Sequence, residues 1–238
     1  MNYAPNRNWK SMGNPSIIVF DVNETLIDIE SIGPFFERKF GDRKVLREWF
    51  NQLILYSNVI TLSGYYETFF TLGQGVLEML GTIYGVSIQP ADLEELRSSM
   101  LSMPVHKDVP EGLLLLKEAG FRLMTLTNSP PSDDGTPLER TGLDHFIERQ
   151  FSVDSVRRFK PAPEVYLLIT ELLNVPPSAI CLVAAHIWDT LGAQSVGFSA
   201  GFVARTGNAA LPVSGLPRPD VIAPDLTQMA HQMIALWR

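Results

Sequence analysis

Short, uninterrupted runs of apolar residues recur along this 238-residue chain and constrain its fold more than any other feature. The first run, Ser-Ile-Ile-Val-Phe at residues 16–20, is rich in β-branched side chains and stops at Asp21. Such a run is typical of a strand that is buried on both faces, as in a parallel sheet. Similar runs occupy residues 121–126, 150–153, 180–184, 198–204 and 220–223.

Segments with helical spacing of apolar residues separate these runs. They lie at residues 110–119, 161–174, 188–195 and 226–237. Strands that alternate with helices indicate an α/β fold with a parallel sheet. A second set of helical patterns, at 32–40, 45–58, 65–84 and 91–102, has no convincing strand among its members. We therefore predict a Rossmann-like α/β core of residues 1–28 and 105–238, with an inserted helical cap of residues 29–104.

Charge, cysteine content and hydropathy exclude several classes of protein. The formal net charge is −7, which argues against a nucleic-acid-binding surface. No segment approaches the roughly 20 apolar residues that span a bilayer. Residues 1–15 contain no apolar run, so we expect a flexible leader and not a secretory signal. The single cysteine, Cys181, has no partner for an internal disulfide, and we expect a cytoplasmic protein.

Polar residues follow the predicted strands at the edge where open α/β sheets bind their ligands. Taken one at a time, these residues fit ordinary structural roles. An acid such as Asp21 often caps a turn, and an acid such as Asp189 suits a helix N-terminus. Their joint occurrence at strand ends favours a catalytic site instead. The set is Asp21, Thr25, Thr127, Asn128, Lys160 and Asp189.

The order of these residues resembles that of the haloacid dehalogenase superfamily, over residues 16–234. In that family an Asp after the first strand is the nucleophile and a Thr follows four residues later, as Asp21 and Thr25 do here. A Ser or Thr that ends the second core strand matches Thr127, with Asn128 beside it. The family lysine matches Lys160, and the final acidic motif matches Asp189. The resemblance implies that these six residues are catalytic.

Two departures separate the chain from the phosphatases of that superfamily. Their motif is Asp-x-Asp-x-Thr, in which the second Asp protonates the leaving alcohol; the residue here is Asn23, whose amide cannot act as an acid. Their last motif carries paired acids for Mg²⁺, but Ala184, Ala185 and His186 precede Asp189. We therefore expect no metal and no other cofactor.

Two local strings are similar to those of the type II (L-2-haloacid) dehalogenases. They are Phe159-Lys160-Pro161-x-Pro163-x-x-Tyr166 and Trp188-Asp189 followed by Gly192-Ala193. That similarity implies hydrolytic dehalogenation of a short 2-haloalkanoic acid. Asp21 would form an ester with the halogen-bearing carbon, and water near Asp189 and Lys160 would then hydrolyse the ester. The expected partners are a small halogenated carboxylate and a second copy of the chain, since relatives are often dimers.

The chain also departs from these dehalogenases around the halide. Alignment on residues 49–56 places Phe50 where the relatives carry an arginine that receives the halide. Asn23, Gln52, His186 or Arg47 remain alternative anion binders, and His186 also fits a base or a structural hydrogen-bonder. The residues expected to bind substrate are Val22, Asn23, Phe50, Tyr166, His186 and Trp188.

Two other functions stay open at this point. One is a Mg²⁺-dependent phosphatase of the same superfamily. The other is a catalytically silent binding protein that has kept the nucleophile motif.

Overall fold

A computed structural model describes residues 14–131 and 135–238, and within them six parallel strands form one sheet. The strands are β1 (Ile17–Phe20), β2 (Arg122–Thr127), β3 (Arg149–Ser152), β4 (Ile180–Ala184), β5 (Ser199–Val203) and β6 (Val221–Ala223). Their order across the sheet is β3-β2-β1-β4-β5-β6. The predicted α/β class with a parallel sheet is confirmed.

The helices occur where the apolar spacing places them. Those between β1 and β2 are α1 (Gly33–Phe40), α2 (Val45–Leu62), α3 (Phe69–Tyr84), α4 (Pro90–Leu101) and α5 (Val109–Glu118). Those after β2 are α6 (Pro137–Arg140), α7 (Pro163–Leu173), α8 (Ile187–Ser195) and α9 (Leu226–Trp237). The pattern missed α6, because four residues are too few to show a helical period. Helix α3 begins four residues later than predicted, because the Thr68 side chain caps it by accepting a hydrogen bond from Thr71 N–H.

Alternate residues of β1 point into two separate hydrophobic clusters. Ile17 and Val19 pack with side chains of α7 and of α1–α3, whereas Ile18 and Phe20 pack with α5 and α9. Helices thus cover both faces of the sheet. This is the physical reason why β1 is apolar at every position instead of at every second one.

Helices α1–α4, which we call the cap helices, are held together by aromatic packing. The Trp49 indole donates a hydrogen bond of 2.8 Å to the carbonyl of Gly73, where α2 and α3 meet. A Cβ at Gly73 would lie 3.2 Å from the Trp49 ring, so only glycine permits this approach without displacement. The apolar cluster of the cap helices continues into one face of the sheet.

Two of the sequence expectations concern the N-terminal residues and membrane-spanning segments. Residues 1–13, which make up most of the expected leader, lie outside the described part. None of the described helices is both long and apolar enough to cross a membrane.

Candidate active site

Three charged side chains meet at the carboxyl edge of the sheet, and we call them the triad: Asp21, Lys160 and Asp189. The Lys160 ammonium donates to Asp21 Oδ1 at 2.7 Å and to Asp189 Oδ2 at 2.6 Å. It also donates to the carbonyl of Leu126 at 3.1 Å. Lys160 is buried, and a buried charge is tolerated only when it is paired in this way. The sheet thus brings together the two carboxylates and the lysine that the sequence singled out.

Thr25 fixes the second oxygen of Asp21. Its hydroxyl donates to Asp21 Oδ2 at 2.7 Å and accepts the Ala185 N–H at 2.8 Å. The carboxylate is therefore oriented from β1 and from the end of β4 at the same time. Because the strands are parallel and adjacent, the residues that follow them converge on one edge of the sheet.

Asn128 and Tyr166 support the triad from outside. Asn128 Oδ1 accepts the backbone N–H of Lys160 at 3.2 Å. The Tyr166 hydroxyl donates to Asp189 Oδ1 at 2.6 Å, so Asp189 has a donor on each oxygen. Tyr166 is fully buried and lies against Asp189, not at a substrate surface. Thr127 holds the turn by accepting the Ser129 N–H at 3.1 Å.

The two carboxylates of the triad have pKa values shifted in opposite directions. Burial alone raises the pKa of Asp21, but the charge of Lys160, with His186, outweighs burial and holds that pKa well below its ordinary value. Burial raises the pKa of Asp189 above its ordinary value, and Lys160 offsets burial only in part. The low pKa keeps Asp21 ionised, as a nucleophilic carboxylate must be.

Glu24 and His186 form a second pair beside the triad. Glu24 Oε2 accepts from His186 Nε2 at 2.7 Å, and both side chains are buried. His186 Nδ1 faces Asp21 Oδ2 at 3.5 Å and has no hydrogen-bond partner among the described residues. Burial lowers the pKa of His186, but the nearby carboxylates of Asp21 and Glu24, the second of them hydrogen-bonded to Nε2, raise it to about 9.

Aromatic rings enclose the imidazole of His186. The Trp188 ring stacks on it with centroids 5.0 Å apart, and the Phe50 ring lies 5.5 Å away on α2. Phe50, which the alignment placed at the halide-receiving position, therefore contacts the imidazole. The Lys160 ammonium lies 5.8 Å from the centre of the Trp188 ring.

Arg47, one of the alternative anion binders, is already engaged. Its guanidinium pairs with Glu24 Oε1 and Glu30 Oε1 and donates to the carbonyl of Thr206. These contacts direct it to the far side of Glu24, away from Asp21.

A cavity of about 370 Å³ opens between the cap helices and the loops that follow β1 and β2. Val22, Asn23 and Thr127 line it, and Asn23 Nδ2 donates to Ser129 Oγ at 3.3 Å on its wall. Most of the remaining lining is apolar, with contributions from Phe69, Phe70, Met100, Leu101, Met103 and Phe151. Asp21 lies beyond this cavity, with 6 % of its side chain exposed.

The residues present do not suit a divalent cation. Mg²⁺ is bound in proteins through carboxylate oxygens, whereas both oxygens of Asp21 and of Asp189 accept hydrogen bonds here, one on each from the Lys160 ammonium. The Lys160 ammonium supplies the positive charge between them. In the described ranges no group of three or more His, Cys, Asp or Glu residues is placed to hold a metal.

Sequence reasoning passed over Glu24. Its backbone is left-handed, with φ of 68°, which turns the carboxylate from the Asp21 loop towards the end of β4. The available signal was an acid inside the nucleophile motif together with a histidine in the last motif, because these motifs lie on neighbouring strands.

Comparison with known proteins agrees with this geometry. Residues 15–197 match the family model for haloacid dehalogenase-like hydrolases. An (S)-2-haloacid dehalogenase from Xanthobacter autotrophicus is 30% identical over 82% of this chain and 77% of that protein. A second (S)-2-haloacid dehalogenase, from Pseudomonas sp. (strain YL), is 28% identical over 80% of this chain and 83% of its own length.

A solved structure is similar over almost its whole length. It is the L-2-haloacid dehalogenase from Xanthobacter autotrophicus with chloropropionic acid covalently bound. It is 25% identical, with a TM-score of 0.80, and the match covers 91% of this chain and 97% of that one. The family match spans well over half of the chain and includes the nucleophile loop, the lysine and the last acidic motif. This chain belongs to the haloacid dehalogenase-like hydrolase family.

Proposed function

We propose that this protein hydrolyses the carbon–halogen bond of a short 2-haloalkanoic acid through an ester formed on Asp21. The observation that carries the proposal is the triad, in which Lys160 keeps a buried nucleophile ionised. Asn23, two residues after Asp21, offers an amide and no acid. A halide leaves as an anion and needs no proton, so the absence of an acid at this position does not prevent carbon–halogen cleavage.

In the first step an oxygen of Asp21 attacks the carbon that bears the halogen. A carbon–oxygen bond forms, and the carbon–halogen bond breaks with its electron pair on the halide. The low pKa of Asp21 keeps the attacking oxygen anionic. We propose that Phe50 occupies the place where the halide leaves, so the departing anion meets an aromatic ring there in place of an arginine.

Esterification then changes the state of His186. The charge of Asp21 is lost, and with it two of the contributions that raise the pKa of the imidazole. The pKa of His186 therefore falls in the ester, so the imidazole gives up its proton more readily once the halide has left. Ionised Glu24 only accepts hydrogen bonds, so Nε2 keeps its hydrogen and Nδ1 becomes the basic nitrogen.

In the second step water attacks Cγ of Asp21 and gives a proton to His186 Nδ1. The bond from Cγ to the substrate-bearing oxygen breaks, and the 2-hydroxy acid leaves with the second proton of the water. Asp21 is regenerated as a carboxylate beside protonated His186, so the cycle closes on the starting state. We assign the base role to His186 because its Nδ1 faces Asp21 and has no hydrogen-bond partner among the described residues. Asp189, in contrast, is fully buried and is held by Lys160 and Tyr166.

The remaining site residues follow from their positions. We propose that Val22 and Asn23 contact the substrate from the cavity wall, and that Phe50 and Trp188 shape the pocket around His186. We assign Thr25, Thr127, Asn128 and Tyr166 to positioning the triad and its loops. For Tyr166 this replaces the substrate contact expected from the sequence, because its hydroxyl is donated to Asp189.

We also propose the wider setting of the enzyme. Residues 29–104 act as a cap over a core of residues 1–28 and 105–238. The protein works in the cytoplasm, where its buried single cysteine stays reduced. It forms a homodimer through an apolar stripe at the end of α2, where Leu62 is 88% exposed and Leu55 50% exposed.

The first stage of the test is a substrate panel. Halide release is measured with both enantiomers of 2-chloropropionate and 2-bromopropionate, beside p-nitrophenyl phosphate, each with Mg²⁺ or with EDTA. We expect halide release that EDTA does not reduce, and no phosphate release. Phosphate release that depends on Mg²⁺ would assign a phosphatase, and no turnover of either class would leave a silent binding protein.

The second stage follows oxygen through a single turnover in ¹⁸O-water, with enzyme in excess over the haloacid. Because water attacks Cγ of the ester, the label should appear in Asp21 and not in the hydroxy acid. Asp21→Asn should abolish turnover, since a neutral amide is a poor nucleophile. Label in the product with unlabelled Asp21 would mean direct attack by water and would refute the covalent mechanism.

A further inference from the structure

Arg47 joins a cap helix to two loops of the core. It lies near the start of α2, and its Nη2 donates to the carbonyl of Thr206, after β5, at 2.8 Å. Its Nη1 pairs with Glu24, in the loop after β1, and its Nε donates to Glu30 at 2.8 Å. A planar guanidinium with several fixed donors suits such a three-way contact, because each donor has its own direction.

These contacts make Arg47 the outer end of a chain that reaches the nucleophile. Glu24 uses Oε1 for Arg47 and Oε2 for His186, and His186 Nδ1 faces Asp21. The Glu24 carboxylate is 2% exposed, so it cannot exchange a lost partner for bulk water without moving. The direction of the Glu24 carboxylate, and with it that of the imidazole, therefore depends on where α2 places Arg47.

The enclosure of the site links this dependence to the catalytic cycle. Only 6% of the Asp21 side chain and 6% of the His186 side chain are exposed, and Phe50 of α2 covers the imidazole. Displacement of α2 from the core would uncover the imidazole. The same movement separates Arg47 from Glu24, because both Arg47 and Phe50 lie on α2.

We infer that Arg47 is a positioning residue that makes ester hydrolysis depend on closure of the cap helices. With α2 seated on the core, Arg47 holds Glu24 so that His186 Nδ1 is aimed at the ester carbon of Asp21. With α2 displaced, Glu24 loses that partner and His186 is no longer held in register. Attack by Asp21 on the haloacid does not require this alignment, so the two chemical steps respond differently to Arg47. The inference rests on the proposed function.

The charges around the imidazole set the pH dependence of ester hydrolysis. Asp21 and Glu24 face His186 directly, whereas Arg47 lies behind Glu24 and Lys160 behind Asp21. His106 contacts the backbone carbonyl of Glu24 at 3.1 Å. Phe50 and Trp188, which pack on the imidazole, carry no charge. Removing Arg47 leaves Glu24 less compensated, so the pKa of His186 in the ester state should rise if the pair stays together.

The test separates the two steps in the full-length protein. Arg47→Gln is mixed with excess 2-chloropropionate, quenched at short times, and analysed by intact mass for the Asp21 adduct and by ion chromatography for chloride. We expect adduct formation within about threefold of wild type and adduct decay slower by on the order of tenfold to a hundredfold, as for a misplaced catalytic group. The ester should therefore accumulate.

Arg43→Gln is the matched control. Arg43 also belongs to the cap region and contacts Glu30, with its Nε 3.7 Å from Glu30 Oε2, but it does not contact Glu24. It should leave both steps unchanged. Arg47→Lys, which keeps the charge and loses the planar fork, should restore part of the decay rate, and it serves as the test variant if Arg47→Gln does not fold. Because Arg47 acts through Glu24, the double variant with Glu24→Gln should hydrolyse the ester no more slowly than Glu24→Gln alone.

Equal slowing of both steps would assign Arg47 to general stability of the cap and overturn the inference. Unchanged adduct decay in Arg47→Gln would overturn it as well. Failure of the wild-type protein to release halide from any haloacid is a separate result. That result would overturn the proposed function. If the wild type releases halide but adduct decay is unchanged in Arg47→Gln, only this inference is overturned.

Discussion

At the scale of single residues, the two nitrogens of His186 have different surroundings, and this difference gives the side chain its chemistry. Nε2 is held by Glu24 at 2.7 Å, whereas Nδ1 faces the nucleophile without a hydrogen-bond partner in the described residues. An imidazole held through one nitrogen presents the other in a fixed direction. The neighbouring carboxylates also fix when the proton is present, because esterification of Asp21 removes one of them.

The prediction at this scale concerns His186→Asn. Asparagine accepts no proton in this range, so ester hydrolysis should slow by on the order of 10² to 10⁴ while adduct formation continues. The wild-type pKa of about 9 applies to free Asp21, and loss of that charge lowers it in the ester. Wild-type hydrolysis should therefore accelerate with rising pH and level off below pH 9, and the variant should lose this dependence.

Single-turnover decay of the adduct between pH 6 and pH 10 measures this profile. His231→Asn is the control, because His231 is an exposed histidine on α9, and it should behave as wild type. If the Asp21 adduct decays in His186→Asn as it does in the wild type, the base is Asp189, the residue that the sequence alone favoured.

At the scale of elements, α2 carries one face towards the core and another towards the surface. Arg47 and Phe50 are three residues apart and therefore share a face, which meets Glu24 and His186. Trp49 turns into the cap helices and bonds to Gly73 on α3. The same helix thus fixes the cap packing and closes the active site.

The prediction for α2 is made with Phe50→Arg. A guanidinium at this place adds a fixed positive charge where the halide leaves, so adduct formation should accelerate and the chloride-to-bromide rate ratio should change. Stopped-flow halide release from 2-chloropropionate and 2-bromopropionate measures both quantities. Phe50→Leu, which removes the ring and adds no charge, should not accelerate the step. A variant with unchanged rate and halogen preference would show that the alignment of residues 49–56 is wrong.

At the scale of the whole molecule, the exposed stripe on α2 is the feature that a monomer does not account for. Leu55, Val59 and Leu62 follow helical spacing, and Tyr65 continues the stripe with 72% of its surface exposed. A stable interface buries about 800 Å² on each partner, and apolar side chains at its centre contribute most. Leu62, at the end of the stripe, lies about 22 Å along α2 from Arg47, so pairing there leaves the active site accessible.

The prediction is that the protein elutes with twice its chain mass of 26.5 kDa in size-exclusion chromatography with light scattering. Leu62→Asp should shift it to the monomer mass, because a buried unpaired charge is costly, and should leave the Asp21 chemistry in place. Leu211→Asp, at a 51% exposed leucine outside α2, is the control and should not change the mass. A wild type of monomer mass at micromolar concentration would contradict the homodimer.

The sequence by itself determined the parallel α/β class, the strands to within one residue at each end, and the set of polar residues that follow them, including Asp21, Lys160 and Asp189. Runs such as Ile17–Phe20 and Ile180–Ala184 are apolar at every position because helices cover both faces, so their bounds are readable without a structure. Parallel strands end at one edge, which is why Asp21, Lys160 and Asp189 could be expected to meet although they are far apart in the chain.

Only the tertiary structure decided the partners of the side chains around that triad. Glu24 and His186 are 162 residues apart, and no local pattern shows that one turns towards the other. Arg47 was an alternative halide binder in the sequence, and Tyr166 an expected substrate contact; the fold engages the first with Glu24 and the second with Asp189. The physical reason is that hydrophobic periodicity specifies which face of an element is buried, whereas the direction of a buried polar side chain depends on partners that packing alone brings near.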